Sequence, residues 1–217
     1  MARLLRHGQH SPAWNMAVDE VLLNLCKSPT LRIYGWSLPC VSIGFFQSSD
    51  EVCAEAVFVR RPTGGGTVEH GHDLTYTVAF PRAHPLAKMG TAESYRVVHS
   101  AVAIALSSSG VEAHLCVGES GENSNFCFQK PVFHDVVDGA GRKLAGAAQR
   151  RTRDAVLHQG SLMVDLLPEK IWDVLVLKMT DIFQEPLMPD DLSAAEMEMA
   201  ARLERERYSL DSWNHMR

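Results

Sequence analysis

The chain has 217 residues, 46% hydrophobic and 22% charged, with 15 Gly and 10 Pro. That is enough chain for one sizeable core, and the composition excludes a disordered, collagen-like or disulfide-stapled protein. A net charge of −5 argues against nonspecific binding to nucleic acid or to an anionic membrane, since both need a clustered positive field. The first residues never build the apolar run of a signal peptide, and no stretch reaches the ~18 apolar residues of a spanning helix. Apolar Trp14, Ala17, Val18, Val21, Leu22 and Leu25 keep helical spacing behind Ser11-Pro12, a cap with proline at the first helical position, which predicts a helix. Residues 31–36, 40–45 and 74–80 are rich in β-branched and aromatic types between turn residues and read as strands. Residues 92–109 form a second predicted helix, with Gly110 as its stop. Beyond it, 132–137, 143–148, 155–157 and 161–164 read as an antiparallel meander that turns at Gly139 and Gly141. Residues 192–208 read as a charged, solvated packing helix without chemistry. Together these elements predict an α+β fold, a mostly antiparallel sheet packed with helices. A single catalytic domain over 1–217 is expected, with a helical tail from about residue 190.

Five cysteines (Cys26, Cys40, Cys53, Cys116 and Cys127) form no CxxC pair and no zinc spacing, so reduced thiols in a cytoplasmic protein are expected. The densest chemical signal is the run from Arg60 to His70. Gly64, Gly65 and Gly66 directly follow an apolar strand, so backbone amides can approach an anionic ligand closely, and Arg60 and Arg61 offer counter-charge. A plain flexible loop is the competing reading. No Lys-Ser/Thr follows, so it is not a phosphate loop, and the GxGxxG spacing of dinucleotide folds is missing. A second signal is Lys143, set among Ala145, Gly146, Ala147 and Ala148, where an extended ligand can lie against the backbone while the ammonium reaches a carbonyl. Most such lysines are simply solvated. The third is Cys127 between Phe126 and Phe128, which is either a small core hydrophobe or a nucleophile. His70, His72 and Asp73 make only a weak metal pattern, and no Gly-x-Ser-x-Gly elbow supports a serine hydrolase.

Taken together, segments 11–20, 31–36, 41–44, 60–70, 141–149 and 158–162 resemble, in order, the lipoate-protein ligase, octanoyltransferase and biotin-protein ligase superfamily. The resemblance implies an enzyme that attaches an octanoyl or lipoyl group to one lysine of a lipoyl carrier domain, in a 2-oxoacid dehydrogenase complex or the glycine cleavage carrier protein. It further implies that Arg61, Thr63, Gly64, Gly65, Gly66, Thr67 and His70, with Gly146 and Ala147, wrap the acyl or acyl-adenylate group, and that Lys143 contacts the acyl carbonyl. The spacing of Cys127, Pro131, Asp135 and Lys143 is similar to that of cysteine-dependent octanoyltransferases, which take octanoate from acyl carrier protein through a thioester and need no cofactor. The full glycine triplet and Asp135 are similar to ligases, which use ATP, magnesium and lipoate and keep the aspartate near nucleotide and metal. Octanoyl transfer through Cys127 is the favoured expectation, ATP-dependent ligation the alternative, and a non-catalytic carrier-binding relative a minor third. No firm metal ligand, nucleic acid or membrane is expected.

Overall fold

The computed structural model describes residues 1–53, 55–118, 131–163 and 170–216. Its elements are β1 (Ala2–His10), α1 (Pro12–Asn24), β2 (Thr30–Trp36), β3 (Cys40–Ile43), β4 (Phe58–Arg60), β5 (Val68–His70) and β6 (Leu74–Pro81). There follow α2 (Pro85–Lys88), α3 (Thr91–Ser108), β7 (His114–Leu115), β8 (Val136–Val137), β9 (Lys143–Arg151) and β10 (Ala155–Leu162). Beyond these lie α4 (Ile171–Phe183), β11 (Leu187–Pro189), α5 (Ala194–Leu203), a π-helical turn (Glu204–Tyr208) and α6 (Asp211–Asn214).

Among the described residues the main sheet runs β11-β1-β2-β6-β10-β9-β8-β7, and a small sheet runs β4-β3-β5. The long central pairs are antiparallel, as expected, while β1 joins β2 and β11 in parallel. β1 and α4 were not anticipated. Residues 155–157 and 161–164, read as two strands, form one continuous strand through Leu162, because His158, Gln159 and Gly160 keep pairing with β6 and β9. Only Val136–Val137 of the expected 132–137 strand is paired.

Strand side chains alternate between faces. On one face Leu31, Ile33, Tyr76, Val78, Phe80 and Val156 pack beneath α3 and α4. The opposite face is polar over part of its area: Arg32, Thr77, Gln159 and Ala148 make one cross-strand row, and Tyr34, Thr75, Ser161 and Gly146 the next. Helix α1 covers this face. Ser11 caps it, accepting from the Trp14 N–H at 3.1 Å, and Val18, Val21 and Leu22 bury against Leu5, Ala79 and Leu157. Burial of each such aliphatic side chain contributes about 1.5–3 kcal/mol. Beside them α1 lowers Asp19 onto the polar rows, where it accepts from Arg32 (2.7 Å), Tyr34 (2.9 Å), Thr77 (2.8 Å) and Gln159 (2.7 Å). Arg32 is fully buried, and its remaining donors reach Asn15 and His7 Nδ1. His7 can accept because burial, then the Arg32 charge, pushes its pKa down to about 4.

The tail from α5 onward is not merely solvated. Arg60, expected to offer charge to a ligand, is fully buried and donates to the Gly44, Phe45, Gln47, Trp213, Asn214 and Met216 carbonyls. Glu20 accepts from Tyr208 (2.6 Å) and Arg207 (2.5 Å), so the tail is latched to α1 and to the base of the glycine loop. Among the described residues no helix is long and apolar enough to cross a membrane.

The core beneath α3 also carries two fully buried histidines, His99 and His158. His99 Nδ1 donates to the His134 carbonyl at 2.8 Å, and its Nε2 has no hydrogen-bond partner among the described residues. Burial pushes the His99 pKa down to about 4 and that of His158 well below its ordinary value. Both rings are therefore neutral when folded, whereas the unfolded chain binds their protons near pH 6.5. Stability accordingly falls as pH drops below about 6.5, by about 2 kcal/mol at pH 5 from His99 alone, and His158 adds to the loss in the same direction. Urea unfolding at pH 7.5 and pH 5 should show the loss, with His99→Leu removing one histidine's share of the slope. A pH-independent midpoint would refute it.

Candidate active site

The glycine loop leaves β4 at Arg60 and re-enters the small sheet at Val68. Arg61 staples the curve, donating to the carbonyls of Gly64 (2.8 Å), Gly66 (2.6 Å) and Ser42 (3.0 Å). Gly65 has φ of +88°, a conformation glycine adopts without strain, and a Cβ there would stand 3.0 Å from Arg61 Nη2 and 3.6 Å from the Ala148 Cβ. The loop thus folds over β9. Thr63 anchors it, donating to Gln159 Oε1 at 2.7 Å, and Gln159 passes the bond to Asp19. Thr67 accepts from Gln47 at 3.1 Å.

Between this loop and the polar face of the sheet lies a narrow cleft that opens to solvent. Met16, Tyr34, Trp36 and Val68 give it apolar walls, and the glycine and alanines of β9 leave room along one side. Of the residues singled out from the sequence, Arg61, Gly65, His70, Gly146 and Ala147 line this cleft. Thr63, Gly64, Gly66 and Thr67 build the loop instead.

Lys143 lies at the Gly146 edge. A Cβ on Gly146 would collide with the Lys143 ammonium, so glycine is what admits the lysine. The ammonium is almost fully buried and pairs with Asp135 Oδ2 at 2.6 Å. Asp135, itself buried, accepts from the Tyr95 hydroxyl through Oδ1 (2.5 Å) and from the Val132 N–H through Oδ2 (2.9 Å). Tyr95 in turn accepts from the Ala147 N–H at 3.0 Å, so α3, the hairpin and β9 converge on one fixed cation. Tyr95 carried no signal in the sequence beyond its place on the apolar face of a helix. Both Asp135 oxygens are engaged within the protein, and among the described residues no three His, Cys, Asp or Glu side chains converge to hold a metal. Those contacts hold Asp135 against Lys143. Arg142, next to Lys143 in the chain, is exposed and pairs with Asp138 at 2.7 Å. His72 is exposed, whereas His70 is buried against Asp73. Cys127 lies outside the described residues.

Residues 11–187 match the family described as the lipoyl protein ligase A/B catalytic domain. The octanoyltransferase LipM of Kyrpidia tusciae is 40% identical over 191 residues, covering 80% of this chain and 69% of that one. LipM of Bacillus subtilis is 37% identical over 191 residues, covering 79% and 68%. Among solved structures, a lipoate-protein ligase A bound with ATP superposes with a TM-score of 0.82 at 22% identity, covering 99% of this chain and 98% of that one. The bipartite lipoate protein ligase of Thermoplasma acidophilum gives 0.80 at 22%, covering 100% and 97%. At those identities the structures establish the fold alone, while the family match and the LipM relatives reach further. The chain belongs to the lipoyl protein ligase A/B catalytic family and is an acyltransferase of that family.

Proposed function

We propose that this protein moves an octanoyl group from acyl carrier protein to the lysine of a lipoyl domain, through a thioester on Cys127. The LipM relatives favour transfer over ligation. The observation that carries the reading is the Lys143 ammonium, fixed by Asp135 and Tyr95 at the edge of an apolar cleft. An acyl chain of medium length satisfies the apolar walls, and its carbonyl oxygen then meets a buried cation. There, developing negative charge is stabilised far more than it would be in bulk solvent.

In the first step the Cys127 sulfur bonds to the acyl carbon, the donor's C–S bond breaks, and the donor thiol leaves with the cysteine's proton. In the second, the carrier amine attacks that thioester, the amide forms, and the Cys127 thiol is restored by the proton the amine loses. Lys143 faces the oxygen in both. The relatives' name, octanoyltransferase, favours a reaction without ATP, and this reading takes acyl carrier protein as the donor and requires no cofactor. The acceptor is a lipoyl domain of a 2-oxoacid dehydrogenase complex or of the glycine cleavage carrier protein.

The test supplies apo lipoyl domain with octanoyl acyl carrier protein, or with lipoate, ATP and magnesium, and reads the mass of the domain. Octanoylation without ATP supports the proposal. Modification only in the second mixture makes the chain a ligase. A narrower prediction concerns Gly65. Valine there is strained at φ of +88° and pushes on the Arg61 staple, so Gly65→Val should weaken octanoate binding by at least about tenfold while lowering stability by about 1–2 kcal/mol. An unchanged binding isotherm would remove the glycine loop from the acyl site.

A further inference from the structure

Three side chains on the wall of the cleft stand in a line. Ser42 Oγ, from β3, is 2.8 Å from His70 Nε2, and His70 Nδ1, from β5, is 2.7 Å from Asp73 Oδ2. Burial favours the neutral acid at Asp73, but hydrogen bonds from His70, Ser161 and the Gly71 N–H outweigh it and hold the carboxyl below its ordinary pKa. A carboxylate can only accept, so Nδ1 donates to Asp73, which leaves Nε2 of the neutral imidazole as the acceptor for the Ser42 hydroxyl. That is the hydrogen arrangement of an activated serine, which is recognised by geometry and roles and needs no particular sequence motif.

The surroundings over-determine this arrangement. Thr75 (2.9 Å) and Ser161 (2.6 Å) also donate to Asp73 Oδ2, and the Gly71 N–H reaches Oδ1 at 3.1 Å. Trp36 stacks on His70 with ring centres 4.0 Å apart. Arg61 Nη1 lies 3.2 Å from Ser42 Oγ, a fixed cation beside the oxygen that becomes the nucleophile. Ser42 and His70 both line the cleft. Ser161, which holds the acid, is the register partner of Gly146, where the Lys143 ammonium sits, so the triad approaches the carbonyl end of the cleft.

We propose that Ser42, with His70 and Asp73, is a second acyl acceptor, giving the protein a hydrolytic activity toward activated medium-chain acyl esters that does not require Cys127. The proposal rests on the reading that this cleft holds an acyl chain. Ser42 Oγ bonds to the acyl carbon as its proton passes to His70 Nε2. The bond to the leaving alkoxide or phenoxide breaks, and that group takes the proton from His70. A water molecule then gives a proton to His70 and its oxygen to the acyl carbon, which releases the carboxylic acid and restores the Ser42 hydroxyl.

The experiment uses Cys127→Ala protein, so that no thiol at that position contributes, with p-nitrophenyl octanoate as substrate and an octyl fluorophosphonate as probe. Hydrolysis is expected in this background, with one phosphonyl mass on the peptide that contains Ser42. Adding Ser42→Ala should lower hydrolysis by at least about 10²-fold and abolish the mass. Labelling is also read on the wild-type protein, so it does not depend on any variant folding. If the wild type octanoylates a lipoyl domain but Ser42 takes no label, this proposal fails and the transfer reading stands. If Ser42 is labelled while Cys127 never gains an octanoyl mass, the triad stands and the transfer reading fails.

Discussion

Lys143→Ala should lower octanoyl transfer by about 10²-fold or more, the effect of deleting one fixed donor at a developing oxyanion. The structure adds a second expected effect. Lys143 is the cation of a buried pair with Asp135, and removing one partner of such a pair leaves an uncompensated charge, at a cost of about 3–5 kcal/mol. The Tyr95 and Val132 donors to Asp135 remain and reduce that cost. The two effects separate in a double variant. Lys143→Met with Asp135→Asn removes both charges and keeps the volume, so its thermal midpoint should recover most of the loss while transfer stays low. Turnover near the wild-type rate in a folded Lys143 variant would show that the ammonium only packs the hairpin.

Cys127→Ser should lower transfer by at least about 10³-fold, because a serine hydroxyl, un-ionised near neutral pH, is a far weaker nucleophile and poorer leaving group than a thiolate. Before that loss is measured, the wild-type protein should gain one octanoyl mass from octanoyl acyl carrier protein, and hydroxylamine should remove it. In Cys127→Ala no hydroxylamine-labile thioester at residue 127 is expected. The choice of this cysteine follows from its spacing to Pro131, Asp135 and Lys143. Full ATP-dependent lipoylation by Cys127→Ala would make the residue a packing side chain and the enzyme a ligase.

By itself the sequence determined what is local: the capped helix after Ser11, the strands around Thr75–Thr77 and at 155–157, the turn at Gly139–Gly141, and the glycine run before Val68. Each of these depends on propensities and spacings within about ten residues. The order of motifs identified the family and, through it, Lys143 and the loop. Tertiary structure alone decided which polar groups meet. Thr63 meets Gln159 across 96 positions of sequence separation, and Arg60 meets Asn214 across 154. Arg60 and Arg61 are adjacent and chemically alike, yet one clamps the tail and the other lines the cleft, because successive residues at a strand end point to opposite sides. β1, with Arg, His and Gln interrupting its apolar residues, is a strand only because β2 and β11 flank it. Thr75, Thr77, Gln159 and Ser161 stand out as polar residues in apolar strands, but their purpose appears only when Asp19 and Asp73 are brought to them from elsewhere in the chain. A buried polar group must find a partner, and strand pairing, which no local window contains, determines which partner it finds.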